Sequence, residues 1–356
     1  MLSVPRRIRL SSLVTIVLAV AAVTYGASLK AFQAPASTTP SATPPPAFNL
    51  EAPPENQRVG LPDWAFTPST SKRPPQPPDD GILLHLPGST RAYSRTQIND
   101  PYATPDWYPE THVPQPKPVS EGNKPKYPGC GECHLANGNG KPDTAALNHL
   151  PAAYILQQID DFRAGRRHGS VIHMAASSMI PIAHGITPEE TKEAADYFAA
   201  IPPAKWIRVV ETDEVPKTRF IGYRHVETVG AGKEPIGNRI VELPENEEYT
   251  VMRDSKSGFV AYVPTGSLKK GETLVRTGDN GRTTACVLCH GPNLTGMGNI
   301  IPPIAGRSPS QLARALYDFK SGARNGSNAA LMKAPAANLT KEDIVNITAY
   351  LASLNQ

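Results

Sequence analysis

Cys286-Val287-Leu288-Cys289-His290, opening the run CVLCHGPNLTGMG that ends at Gly298, is the stretch on which the fold turns. The same frame occurs once more, as Cys130-Gly131-Glu132-Cys133-His134. A cysteine pair at this spacing can be a disulfide, half of a zinc site or a redox dithiol. None of these uses a histidine placed directly after the second cysteine.

The chain has 356 residues and four cysteines, all of them inside the two frames. No thiol is left for a structural disulfide, a separate metal ligand or a nucleophile. Four cysteines in two identical units allow two disulfides or one all-thiolate zinc site. The following histidine has a role in neither. It has one in covalent haem attachment, where the thiols form thioethers to the vinyl groups and the histidine ligates the iron. Two such frames that consume every cysteine point to two haem c groups.

Composition agrees with that reading. Hydrophobic residues make up 39% and aromatic residues 6%, a modest core that a bound porphyrin would complete. There are 38 prolines, well above ordinary usage, which predicts long extended connections. A formal net charge of +4 without a basic block gives no basis for nucleic-acid binding. At the N-terminus Arg6, Arg7 and Arg9 precede an uncharged run from Leu10 to Leu29. That is an export signal, either cleaved near Gly26 and Ala27 or kept as a membrane anchor. The remainder is expected on the extracytoplasmic side, in the periplasm or at the face of the inner membrane.

Five segments follow. Residues 1–33 are the signal or anchor, and 34–117 a Pro-rich tether continued by an extended arm that carries Trp64, Tyr93, Tyr102, Trp107 and Tyr108. Residues 118–203 and 268–356 are two copies of one helical unit: frame, a helix ending in aromatic-x-x-Gly-x-Arg, then Met before a final helix. The offset is 156 residues from Cys130 to Cys286, 157 from Phe162 to Phe319 and 153 from Met179 to Met332. Thr187 and Thr340, each followed by acids, predict the caps of the final helices. Between the copies, WIRVVE, RIVELP, EYTVMR and GFVAYVP in 204–267 predict a small β-ribbon bridge. The fold class expected is mainly α, two helical haem domains joined by that bridge.

Each iron needs a second axial ligand. In the second copy the only histidine is His290 itself, so the donors are Met297 and Met332. Met297 is seven residues from His290 and would have to wrap tightly round the ring; Met332 precedes the last helix and can approach from the far side. In the first copy Met174, Met179 and histidines 149, 168, 173 and 184 compete. Met179 stands 18 residues before Tyr197 as Met332 stands 18 before Tyr350, so the repeat selects Met179. The ligand pairs expected are therefore His134 with Met179 and His290 with Met332. The backbone carbonyl of Pro303 is the expected acceptor for the His290 ring, and Arg307 and Arg324 are candidates for haem propionates.

The pattern resembles the class I cytochromes c, in particular the tandem diheme bacterial type. The residues that carry the likeness are Cys130, Cys133, His134 and Met179, then Cys286, Cys289, His290 and Met332, with the aromatics of each last helix. It extends over 118–203 and 268–356, about half of the chain. The resemblance implies an electron carrier, not an enzyme, working between redox proteins. The cytochrome subunit of a periplasmic dehydrogenase complex and a diheme peroxidase are the alternatives. A thiosulfate-oxidising diheme enzyme needs a fifth cysteine as ligand, and the chain has none.

Overall fold

The computed structural model describes residues 60–67, 79–171, 175–221 and 224–356. The N-terminal apolar run and the tether to residue 59, together with His173 and Met174, lie outside the described residues. Among the described residues, no helix is long and apolar enough to cross a membrane.

The arm carries strands β1 (Leu84–His85) and β2 (Ala92–Tyr93) and helix α1 (Arg95–Ile98). The first copy follows with α2 (Lys117–Ser120), β3 (Gly122–Asn123), β4 (Tyr127–Pro128) and α3 (Gly131–His134). It ends with α4 (Ala152–Arg163), α5 (Ala175–Gly185) and α6 (Pro188–Ala200). In α6, Thr187 accepts from the Glu190 N–H while the Glu190 carboxylate takes the Thr187 N–H. This reciprocal cap satisfies two amides that a helix start leaves orphaned.

Residues 204–267 supply β5 (Ile207–Thr212), β6 (Glu214–Pro216), β7 (Thr218–Ile221), β8 (Arg224–Glu227), β9 (Lys233–Pro235), β10 (Val241–Pro244), α7 (Glu247–Val251) and β11 (Phe259–Pro264). WIRVVE, RIVELP and GFVAYVP thus become strands. EYTVMR does not; Asn246 caps its first turn through the Tyr249 N–H, with Glu247 and Glu248 at the positive helix start. The central sheet has the order β10-β11-β5, with β11 antiparallel to β10 and parallel to β5. A simple ribbon has no parallel pair. Here residues 213–258 form the long crossover that such a pair requires.

The second copy opens on α8 (Ser267–Gly281), whose residues Gly278, Asp279 and Asn280 are left-handed, so its regular turns end at Thr277. Then come α9 (Val287–His290), α10 (Pro309–Ser321), α11 (Ala330–Ala337) and α12 (Lys341–Ser353). α12 is buried almost all round and crosses α8 at Gly271. A Cβ at Gly271 would stand 2.0 Å from the Asn346 carbonyl oxygen and 2.6 Å from Tyr350 Cβ. Only glycine permits that approach.

The cores run across these divisions. Trp64 and Phe66 of the arm, Ile240 and Val263 of the central segment, and Leu274, Ile344, Ile347 and Leu351 of the second copy share one cluster. Ala146, Trp206, Ile207, Phe259, Ala261 and Ala352 make another that holds the sheet between the copies. The arm buries Leu86, Ile98, Trp107 and Tyr108 against Met252.

The copies also meet directly, along a two-fold-like seam. Ser170 donates its N–H and Oγ to Asp318 at 2.8 and 2.7 Å, and Ser327 donates its N–H and Oγ to Asp161 at 3.3 and 3.5 Å. The His168 N–H reaches the Ala323 carbonyl at 3.0 Å, and the Asn325 N–H the Arg166 carbonyl at 2.7 Å. Arg167 lies over Phe162 and Arg324 over Phe319. Each of these hydrogen bonds across the seam recurs with the two copies exchanged, as in a symmetric dimer interface.

Candidate haem-attachment sites

Each CxxCH frame folds as one helical turn, with the first cysteine at its start and the histidine at its end. The spacing brings the two thiols and the ring onto one short segment. The chain must then reverse with a positive φ. Gly291 supplies it at φ 82°, while Leu135 is held at φ 64° by burial of its side chain.

The His134 ring is buried and its Nδ1 lies 2.7 Å from the Ala145 carbonyl; the His290 ring is buried and its Nδ1 lies 2.9 Å from the Pro302 carbonyl. The acceptor for His290 is therefore Pro302 and not Pro303. A carbonyl oxygen can only accept, so Nδ1 carries the proton in both rings. Nε2 is left with its lone pair, the form that ligates a metal. Burial pulls both imidazoles below their usual pKa, which keeps them neutral.

No disulfide joins the four cysteines. Burial pushes Cys130 up to about 12 and Cys286 up to about 11, and raises Cys133. A redox dithiol needs the opposite shift. Among the described residues no three His, Cys, Asp or Glu side chains gather as a metal site, which removes the four-thiolate zinc alternative.

Met179 sits on α5 beside Phe162, Ile180 and Ala183. Met332 holds the matching place on α11; both helices contain a proline, Pro181 and Pro335. Met297 is 51% exposed and fixed in a turn by reciprocal backbone bonds with Ile301. Among the first-copy histidines, His149 is exposed and His168 bonds the neighbouring Gly169 carbonyl.

Arg307 is buried and bonds only the neutral Asn148, through its side-chain and backbone oxygens at 2.9 and 2.8 Å. Its Nε has no partner. A buried guanidinium with an orphaned N–H and no carboxylate beside it fits an anionic group such as a haem propionate. Arg324 donates to Tyr154 Oη and to Gln158 Oε1. Sequence reasoning missed Ala145 as ring acceptor and the Arg253 contact described below. Neither has a signature, because backbone acceptors and contacts across more than a hundred residues leave no local pattern.

The cytochrome c family model matches residues 269–355. The cytochrome c-554(548) of Halomonas halodenitrificans is 41% identical over 68 residues, 19% of this chain and 82% of that protein. The chain belongs to the cytochrome c family. Similarity to longer cytochromes extends over about two thirds of the chain. The cytochrome c4 of Stutzerimonas stutzeri is 26% identical over 243 residues, 66% of this chain and 89% of that protein. The protein called thiosulfate dehydrogenase electron acceptor from Stutzerimonas stutzeri (strain A1501) is 24% identical over 237 residues, 66% of this chain and 83% of that protein. Haem c is accordingly the cofactor of this cytochrome.

Proposed function

We propose that this protein is a diheme electron carrier of the extracytoplasmic space, with haem thioethers at Cys130, Cys133, Cys286 and Cys289 and axial pairs His134/Met179 and His290/Met332. The observation that carries the reading is the repeated frame in which each buried histidine gives Nδ1–H to a backbone carbonyl and keeps Nε2 for a metal. Bound haem supplies a one-electron couple. The chain's own part is to fix ring tautomer and orientation, to bury the site and to offer a soft thioether that favours the ferrous state and raises the potential. With both irons filled by side chains there is no open position for substrate, which favours a carrier over a peroxidase. Arg307, lacking an anionic partner, supports a propionate at the meeting of the two copies.

A second reading, the electron-accepting subunit of a periplasmic dehydrogenase, is supported by the relative of that name. It keeps the same two haems and differs only in the donor. Residues 118–203 and 268–356 are the haem domains in either case, 204–267 links them, and residues 1–33 export or tether the chain.

The test is the holoprotein made with haem c maturation. Two covalent haems per chain, low-spin ferric resonance and the weak near-infrared band of methionine-to-ferric-iron ligation are expected. A high-spin ferric haem would sink the carrier reading.

A further inference from the structure

The two attachment faces are not alike. From Gly129 to Gly140 no residue of the first face is exposed. The arm and the central segment cover it. Pro101 accepts the Gly129 N–H, and Thr104 Oγ1 would lie only 3.0 Å from a Cβ at Gly131. Arg253 donates to the Glu132 carbonyl and carboxylate inside the motif and to the Ile98 carbonyl of the arm. Asn137 donates to the Ser255 carbonyl at 2.6 Å. Trp107 Nε1 donates to the Met252 carbonyl at 2.8 Å, and the Lys256 ammonium lies 3.5 Å from the Tyr108 ring centre.

Nothing comparable covers the second face among the described residues. Leu288, the counterpart of Glu132, is 70% exposed, Met297 51% and Ile300 53%. From Thr283 to Gly306 there is no charged residue. The copy that carries this apolar field is basic as a whole. Residues 268–356 hold ten Lys/Arg and five Asp/Glu; without the buried Arg307, Asp318 and Asp343, nine remain against three. Arg276 stands at the rim, its guanidinium on the Pro292 carbonyl. Two haem propionates reduce this excess without reversing it.

We propose that partner proteins exchange electrons with this cytochrome through the second attachment face alone, and that the partner is a redox protein with an apolar contact patch and an acidic rim. Electrons of the first haem then leave through the second. The proposal rests on the electron-carrier reading. Three large exposed apolar side chains on one uncharged stretch are more than a solvated surface needs, and an uncharged patch on a basic copy with Arg276 at its rim complements a partner with an acidic rim. On the first face the same position is occupied by the protein's own chain.

A plastocyanin, an acidic copper protein, serves as the oxidant probe. The fully reduced two-haem protein is mixed with it by stopped flow, at concentrations where both oxidation phases are first order in plastocyanin. Leu288→Ser/Ile300→Ser is expected to slow both phases about tenfold or more, and Met297→Ser to slow both in the same sense. Val229→Ser, at an apolar side chain 89% exposed on the central segment, is expected to leave both unchanged. Slowing of one phase only would establish a second port and overturn the proposal; so would rates indifferent to all three variants. Loss of covalent haem from the wild-type protein would instead sink the electron-carrier reading, so the two failures are distinguishable.

Discussion

Arg253, which is buried, forms an ion pair with the half-buried Glu132, although one belongs to the central segment and the other to the first attachment motif. The pair ties the segment between the copies to the haem frame itself. Removing Arg253 takes the ion-pair partner from a carboxylate that is largely out of water, the costly way to break such a pair. Arg253→Met should destabilise the holoprotein by about 3 kcal/mol. Arg253→Met/Glu132→Gln should recover part of that loss. Thermal unfolding followed at the Soret band checks both, with Glu132→Gln alone closing the cycle; a double-variant loss equal to the sum of the two single losses would show that the pair is not coupled.

Covalent attachment at the second frame depends on its own two thiols. Cys286→Ala/Cys289→Ala should leave one covalent haem per chain, read by mass and by pyridine haemochrome. A chain that still carries two after this change contradicts the assignment.

For the second iron, Met332→Ala should remove one haem's share of the methionine-to-iron band and let that haem bind carbon monoxide or cyanide. Met297→Ala should do neither. The reverse outcome would move the ligand to Met297.

Gly271 marks where α8 and α12 cross. Gly271→Ala places a methyl into the Asn346 carbonyl, and the helices must separate. Overpacking of this kind costs about 1–3 kcal/mol, and urea unfolding should place the variant in that range. An unchanged midpoint would mean that the crossing is looser than the 2.0 Å approach indicates.

The arm should be held in a pH-dependent way. His112 Nε2 lies 3.2 Å from Asp106, and its Nδ1 3.0 Å from Tyr197 Oη on α6. The hydrogen bond with Asp106, aided by the Val113 carbonyl and the charges of Asp106 and Glu110, raises His112 above its ordinary 6.5 against the opposing effect of burial. Burial raises Asp106, but the hydrogen bond and charge of His112 outweigh it and bring the carboxyl below 3.8. A raised histidine stabilises fully below its unfolded value and loses that contribution as pH rises through the folded one; a depressed carboxylate behaves oppositely. Docking of residues 79–117 should therefore be tightest between about pH 4 and 6.5 and weaken above neutrality. Hydrogen exchange of the arm across that range measures this, and His112→Gln should flatten the profile above pH 6.

The sequence by itself carried the chemistry, because haem attachment is local. Cys-x-x-Cys-His puts thiols and imidazole on one turn wherever the turn sits, and the 156-residue offset between Cys130 and Cys286 was enough to reveal two copies. Caps were legible for the same reason, since Thr187 and Thr340 satisfy amides two or three residues away. The Pro302 acceptor lay one residue from the expected Pro303, because a carbonyl's direction depends on loop torsions that residue types do not specify. EYTVMR carried a strand's residue types, yet the Asn246 cap and the packing of Met252 against the arm made it a helix.

Tertiary structure decided everything that joins distant parts. Asp161 and Asp318 read as ordinary helix acids, and only folding sets each against the other copy's serine. Glu132 and Leu288 hold the same place in two nearly identical motifs. One is sealed by Arg253 and the other faces solvent, because the crossover between β5 and β11 (213–258) sets Arg253 against the first motif and no such residue against the second among the described residues. Local pattern reports what a segment can bind; which face remains open depends on what packs over it, and that is set by burial across the whole chain.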